Sequence, residues 1–252
     1  MINLLDGDLI CWRASASCEP TKNKPYLEPP EIAIYRLHDM IERICLATNS
    51  SEIECYIGGS DNFRYKIYPD YKANRTKEKP HYLEACREML VTQYKATVVN
   101  NYETDDALGI AQTKYDGNSR ICSLDKDLLQ IPGLHFNWVT GISRLVSPLD
   151  GLRAFYRQLI LGDRTDNIPG FDGKLRSECP KFIQKLQEPI DEMTEEIDMY
   201  NHVCDVYSEQ VSWADDWKTP MHRNAQLLYI LKNEEEFWTP PNGPKEESMP
   251  SS

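Results

Sequence analysis

The 252-residue chain predicts an α/β fold built on a mostly parallel central sheet flanked by helices. Two observations carry this. Short apolar runs alternate with segments of helical periodicity through the first two thirds of the sequence. Acidic residues recur just after those runs or at helix starts, where open α/β folds place their ligands, outside the carboxyl ends of the strands. No internal repeat is visible.

The elements follow in order. Ile2 to Asp6 reads as a buried strand ending in a carboxylate. Glu31 to Thr48 repeats Ile34, Leu37, Ile41 and Ile44 at helical spacing, with Pro29-Pro30 as a start signal. Ile53 to Ile57 is a short strand stopped by Gly58-Gly59. A basic connector follows, with Phe63, Tyr65, Tyr68 and Tyr71 interleaved. Pro80 opens a helix to about Tyr94. Ala96 to Val99 is a strand, and Thr104 caps a helix from Asp105 to Tyr115. Arg120 to Leu124 is a strand ending at Asp125. Leu134 to Val139 and Ile142 to Val146 form a hairpin about Thr140-Gly141. Pro148 to Leu161 is a helix that stops at Gly162. Asp163 to Lys174 is a glycine-punctuated turn, followed by a helix over Lys181 to Leu186. The remainder is acidic and helical to about Glu236. Thr239 to Ser252, rich in Pro and Ser, reads as a disordered tail.

The N-terminus has no positive n-region and meets an aspartate at once, unlike a signal peptide. No apolar run is long enough to span a bilayer. The eight cysteines are scattered without a CxxC pair, which argues against a zinc ribbon and for reduced, mostly buried thiols in a cytoplasmic protein. The net charge of −12 argues against a nucleic-acid partner until its distribution is considered. Part of the excess is the acidic motifs themselves, where two bound divalent ions would offset about four charges. Another part lies between Lys185 and Lys218, which contains no Lys or Arg. By contrast, Arg64, Lys66, Lys72, Arg75, Lys77, Lys79, Arg87 and Lys95 form a basic stretch. It suits either a solvated face or a phosphate backbone.

Each acidic motif has a plain structural reading. Asp6 is placed to cap the next helix, and Glu103-Thr104-Asp105-Asp106 complements a helix dipole. Asp61 follows a glycine turn, Asp125-Lys126-Asp127 follows a strand, and Asp163 and Asp166 bracket a tight turn. Together they are harder to explain, because crowded carboxylates repel unless a cation intervenes. Hard oxygen donors imply Mg²⁺ or Mn²⁺, and a carboxylate-lined site of this kind suits phosphoryl chemistry. Lys72 and Arg75, three residues apart, are placed to meet on one helical face and hold a phosphate. Tyr65, Tyr68 and Tyr71 are candidates to stack on bases or to fill core.

The ordered strings Leu5-Asp6-Gly7, Asp61, Tyr71-Lys72-Ala73-Asn74-Arg75, Glu103-Thr104-Asp105-Asp106, Asp125-Lys126-Asp127-Leu128-Leu129-Gln130 and Gly162-Asp163-Arg164-Thr165-Asp166-Asn167-Ile168-Pro169-Gly170 resemble the flap endonuclease and 5′-to-3′ exonuclease family. That family includes phage exonucleases and the 5′-nuclease domain of bacterial DNA polymerase I. The match runs from about Asp6 to Lys174. The resemblance implies a PIN-like 5′-nuclease core over residues 1–162 with a basic helical arch near 62–95. It also implies a helical DNA-binding region over 163–238, before the tail at 239–252. It implies a Mg²⁺- or Mn²⁺-dependent enzyme holding two or more ions. Asp6, Asp61, Glu103, Asp105 and Asp106 would form the tighter cluster, and Asp125, Asp127, Asp163 and Asp166 its second part. Lys72 would assist attack and Arg75 position the phosphate. Lys66, Tyr71, Lys77, Lys79, Lys174 and Arg176 would contact DNA carrying a 5′ end, flap, nick or gap. Replication or recombination proteins, and the cytoplasm of a host for a phage-encoded chain, would be the setting.

Two departures qualify this. After Gly170 the family continues with a Gly-x-Gly-x-Lys-Thr hairpin that grips duplex around a monovalent cation. Here the chain reads Phe171-Asp172-Gly173-Lys174-Leu175-Arg176, which puts the hairpin and its cation in question. The interval from Arg75 to Glu103 leaves room for only a modest arch. Three competing readings share some of these features. A haloacid-dehalogenase-like phosphatase would use Asp6 as nucleophile in Asp6-Gly7-Asp8, but leaves the motifs at 103–106 and 125–127 unexplained. A catalytically inactive DNA-binding homologue would have no use for the acids. A PIN-like ribonuclease would lack the 163–170 string.

Overall fold

The structure, a computed structural model, describes residues 1–174, 181–210 and 216–241. Two compact units emerge. The first comprises residues 1–66, 76–151 and 230–235, and the second residues 67–75, 152–229 and 236 onward.

The first unit holds a six-stranded sheet. Its strands are β1 (Ile2–Asp6), β2 (Ile53–Gly58), β3 (Thr97–Val99), β4 (Ser119–Cys122), β5 (Gly133–Asn137) and β6 (Ile142–Val146), in the order β3-β2-β1-β4-β5-β6. All pairings are parallel except β5 with β6, which run antiparallel. The exception follows from the short connection. Asn137 Oδ1 accepts from the backbone N–H of Val139 and Thr140, closing a turn that only antiparallel strands can share. Successive strands lie to one side of β1 and then to the other, so the strand order reverses between β1 and β4. Open sheets of this kind form their ligand crevice there.

Alternation along β1 and β4 feeds two cores. Leu5 and Cys122 join Ile10, Cys11, Leu37, Ile41, Ile44, Cys86 and Leu90. These come from helices α1 (Gly7–Ala16), α2 (Pro30–Thr48) and, after the short α3 (Arg64–Ile67), α4 (Leu83–Tyr94). Leu4 and Ile121 face the other way, toward Leu108 and Ala111 of α5 (Thr104–Lys114), with Leu128, Ile131 and Ile230. Burial on both faces keeps Leu4, Leu5, Ile121 and Cys122 apolar in sequence. Helix α1 was not assigned from sequence. Its buried face is Gly7, Ile10, Cys11, Ala14 and Ser15, too small and mixed to give an apolar period.

The helical arch expected near 62–95 takes another form. Residues 68–82 form turns and extended chain rather than helix. Pro69, Pro80 and a left-handed Lys72 (φ +59°) are incompatible with a continuous helix there. Helix α4 begins at Leu83 and buries Leu83, Cys86 and Leu90 in the core.

The second unit gathers most of α6 (Pro148–Leu161), α7 (Lys181–Gln187), α8 (Glu196–Gln210) and α9 (Lys218–Leu228). Phe155, Tyr156, Leu159, Ile160, Val203, Tyr207, Met221 and Ala225 are buried. The helix expected to reach Glu236 ends at Leu228, and Ile230 and Leu231 are buried in the first unit. The tail expected at 239–252 lies outside the described residues from 242 on. The seven described cysteines are free thiols, and burial pushes Cys11, Cys55, Cys86 and Cys122 up from their ordinary range, so they stay protonated. Among the described residues no helix is long and apolar enough to cross a membrane.

Candidate metal centre

In the first unit the acids collect at the carboxyl edge where the strand order reverses. Asp6 ends β1 and caps α1, with Oδ1 accepting from Leu9 N at 3.0 Å. Its Oδ2 accepts from Ser123 Oγ at 2.7 Å, just past β4. Burial lifts its carboxyl from an ordinary value near 3.8 to about 6. The bonds from Ser123 and Leu9 oppose this, and the charges of Asp8 and Asp125 add to it. Asp105, on the first turn of α5, is held well above the ordinary carboxylate range. Burial acts first, followed by the charges of Asp6, Asp125, Glu103 and Asp106. No hydrogen bond or ion pair to another described group relieves it. Asp125 is exposed beyond β4, where Ser123 Oγ accepts from its N–H at 3.0 Å, and Asp125 Oδ1 accepts from Asp127 N at 2.9 Å.

These donors are hard carboxylate oxygens that repel one another, and Asp105 makes no ion pair with the described residues. The chemistry of the set therefore fits a divalent cation. Among the described residues no three His, Cys, Asp or Glu side chains already close into a finished cage. The carboxylates are within electrostatic reach without being drawn together.

Two expected members of the tighter cluster are placed otherwise. Asp61 is exposed after β2 and makes no hydrogen bond or ion pair with the described residues. Asp106 is fully buried, and four donors saturate it. Arg64 Nη1 reaches Oδ2 at 2.6 Å and Nη2 reaches Oδ1 at 3.0 Å. Glu103 N donates to Oδ2 at 2.9 Å and Leu231 N to Oδ1 at 2.9 Å. That leaves Asp106 no open position for a cation. The cap of α5 is also Glu103, not Thr104. Glu103 and Asp106 form a reciprocal capping box, while Thr104 Oγ1 donates to Asp8 Oδ2 at 2.6 Å. Asp8 is held further by Gly58 N at 2.8 Å and by Arg87.

Sequence reasoning missed the supporting residues Asn62, Arg64, Arg87 and Ser123. Arg64 and Arg87 read as members of an exposed basic stretch, but both are spent on internal carboxylates. Ser123 carried a usable signal, a small polar residue within the expected strand Arg120 to Leu124, which the structure ends at Cys122. Asn62 and Arg64 carried none.

In the second unit, the loop 163–168 closes on itself through paired backbone bonds between Asp163 and Ile168, at 2.8 and 2.7 Å. Asp163 Oδ1 accepts from Thr165 N at 2.7 Å. The segment 70–75 is fastened to this loop. Lys72 N donates to Asp166 O at 2.9 Å, and Asn167 Nδ2 donates to Asp70 O at 2.7 Å. Tyr71 Oη donates to Asp166 Oδ2 at 2.8 Å, Arg75 pairs with Asp166 Oδ1, and Lys72 Nζ lies 3.6 Å from Oδ2. Lys72 and Arg75 therefore meet, but on Asp166 across a turn rather than along one helical face. Tyr71 is only 2% exposed, so burial contradicts its expected contact with DNA, and it serves to orient Asp166. Tyr71→Phe should cost about 1.5–3 kcal/mol in denaturant unfolding, the range for a hydrogen bond to a charged group.

Lys66, Lys77 and Lys79 are exposed; Lys79 lies 3.8 Å from Glu84. Lys174 is exposed and lies 3.7 Å from Asp172 Oδ2, and Arg176 falls outside the described residues.

A parallel α/β sheet with carboxylates at its switch point defines a class of metal-site folds, and comparison with known proteins narrows the class. A family model described as the 5′-3′ exonuclease, N-terminal resolvase-like domain, matches residues 1–148. The chain belongs to this 5′-3′ exonuclease family. It is 25% identical over 206 residues to DNA polymerase I of Bacillus caldotenax, covering 73% of this chain and 23% of that protein. It is 26% identical over 184 residues to a 5′-3′ exonuclease of Buchnera aphidicola subsp. Baizongia pistaciae, covering 66% and 60%. The chain thus spans about a quarter of the polymerase and three fifths of the Buchnera exonuclease. Two solved structures of a bacteriophage T5 protein share the fold at a TM-score of 0.61, covering 90% of this chain and 88% of theirs. One, 16% identical, was co-crystallised with metal ions. The other, 17% identical, is described as a flap endonuclease in a pseudo-enzyme–product complex with DNA and metal ions.

Proposed function

We propose that this chain is a metal-dependent 5′-to-3′ DNA exonuclease with structure-specific flap endonuclease activity. The observation that carries the reading is the uncompensated carboxylate of Asp105 beside Asp6, Glu103 and Asp125, at the sheet's switch point in a chain of this family. Asp6, Glu103, Asp105 and Asp125 would hold Mg²⁺ or Mn²⁺, with Asp127 adjacent. Asp163 is the second unit's candidate ligand; Asp166, paired with Tyr71, Lys72 and Arg75, would have to exchange those partners to serve as one. Bound divalent cations would supply a water of lowered pKa and a counter-charge for the leaving oxygen.

The chain's own residues do the rest. Asp6 and Ser123 fix one wall of the centre through their hydrogen bond. Lys72 and Arg75 bring two positive charges suited to a scissile phosphate, Arg75 by its planar fork and Lys72 as a point charge. Lys66, Lys77, Lys79 and Lys174 are candidate phosphate contacts. The phosphatase reading is disfavoured because Asp8, its second aspartate, is committed to Gly58, Thr104 and Arg87.

The test is product length from 5′-labelled duplex and 5′-flap DNA with Mg²⁺, with and without chelator, comparing wild type with the double variant Asp127→Ala plus Asp163→Ala. Chelator-sensitive release of short 5′ products, lost in the variant, supports the reading. Intact substrates throughout would overturn it. Binding should also weaken with salt by a log–log slope of roughly −0.9 per phosphate contacted. Lys77→Ala should flatten that slope by about 1. A slope that does not change would remove Lys77 from the interface.

A further inference from the structure

We propose that Arg64 and Asp106 are positioning residues for the metal centre, acting through Glu103 and Asp105 without touching the ion. The inference rests on the metal-dependent reading above and assigns it residues outside the ligand set. Arg64 is 2% exposed and Asp106 0%, so the pair is fully removed from water. Breaking such a pair leaves an uncompensated charge, whereas a bidentate fork fixes both planes.

What the pair fixes is the start of α5. Asp106 Oδ2 receives Glu103 N, which closes the capping box and sets where the Glu103 side chain leaves the backbone. The same loop that supplies Arg64 supplies Asn62, whose Nδ2 donates to Glu103 Oε1 at 2.8 Å, and Asn62 Oδ1 accepts from Arg64 N at 3.0 Å. Arg64 Nη1 lies 3.9 Å from Glu103 Oε2. Residues that follow β2 therefore hold Glu103 by a hydrogen bond on one oxygen and a longer charge contact on the other. Asp105, one residue before Asp106, inherits its position from the turn that Asp106 anchors. Leu231 N on Asp106 Oδ1 adds the returning chain to the same carboxylate. Asp106 thus joins three segments far apart in sequence and holds two acids in place beside Asp6. Outer hydrogen-bond partners of this kind typically tune metal affinity or activity by roughly 10–100-fold.

The test is calorimetric titration of the full chain with Mn²⁺ for wild type, Asp106→Asn and Arg64→Lys, with cleavage measured across Mg²⁺ concentration. The expected result is Mn²⁺ affinity weaker by roughly 10–100-fold at unchanged stoichiometry in both variants. Cleavage should be restored by raised Mg²⁺. Asp105→Asn, which removes a ligand oxygen, should not be restored. Unchanged affinity in the folded variants would overturn the inference. Lost stoichiometry in Asp106→Asn would overturn it differently, by making Asp106 a ligand. Should Asp106→Asn fail to fold, Arg64→Lys keeps the charge, loses only the fork and decides the question alone. A wild type that binds no Mn²⁺ would instead sink the metal-dependent reading, so the two failures are separate.

Discussion

Asp6→Asn should make the metal-free protein more stable while removing the proposed cleavage activity. Asparagine caps a helix about as well as aspartate, and its amide oxygen can still accept from Leu9 N or Ser123 Oγ. What the change removes is a buried charge. The Asp6 carboxyl is raised to about 6 in the folded chain, against an ordinary 3.8. Between those values the folded state holds a proton that the unfolded chain has released. Stability from this group is fully present below about pH 4 and is lost as pH rises through 6. At about 1.4 kcal/mol per unit, the loss at pH 7 is about 3 kcal/mol. Asp6→Asn should recover most of this in chelator and flatten the stability profile between pH 4 and 6. Urea unfolding across that range checks it. Mg²⁺ should stabilise wild type and not the variant. Cleavage should fall by at least 10²–10³-fold, the scale of losing one electrostatic contact to a developing charge. A variant no more stable than wild type in chelator would show that the buried charge is not a strain on the fold.

Gly162→Ala should be the most damaging single-methyl change in the second unit. Gly162 sits at φ +75°, a region that costs alanine about 1–2 kcal/mol. An added Cβ would also lie 2.5 Å from Gly170 N and 2.5 Å from Ile168 O, both backbone atoms that cannot swing away. With overpacking at about 1–3 kcal/mol, the total is about 2–5 kcal/mol. Gly117→Ala is the control. Its φ is +84° with nothing within 4 Å, so it should cost only the backbone strain. Denaturant midpoints of the two variants decide the matter, and hydrogen exchange should show the difference concentrated at 162–170. Equal losses in both would mean that the close approach of 162 and 170 does not constrain the loop.

These two sites show how much was legible in the chain. The string from Gly162 to Gly170 was recognisable because its requirements are local. Two glycines permit a backbone approach that any side chain would block, and Asn167 takes a left-handed turn (φ +61°). The hairpin at Thr140-Gly141, the strand Ile2–Asp6 and the helix Pro148–Leu161 were legible for the same reason. Turn chemistry and periodicity act within a few residues. The helical form expected of the arch is absent over residues 68–82, where Pro69, Pro80 and a left-handed Lys72 stop a helix. Lys72 and Arg75 come together on Asp166, 91 residues beyond Arg75, and not along the helical face expected of them.

The acids of Glu103-Thr104-Asp105-Asp106 mark the boundary most sharply. By itself the sequence determined a parallel α/β sheet, its family, and the positions where carboxylates meet strand ends, since each depends on local pattern. It had no means to distinguish Asp105 from Asp106. Only the tertiary structure decided that one is left uncompensated and the other saturated. The deciding partners are Arg64, 42 residues earlier, and Leu231, 125 residues later. A carboxylate's role follows from which donors reach it. Those donors arrive by chain folding over distances that no local pattern encodes.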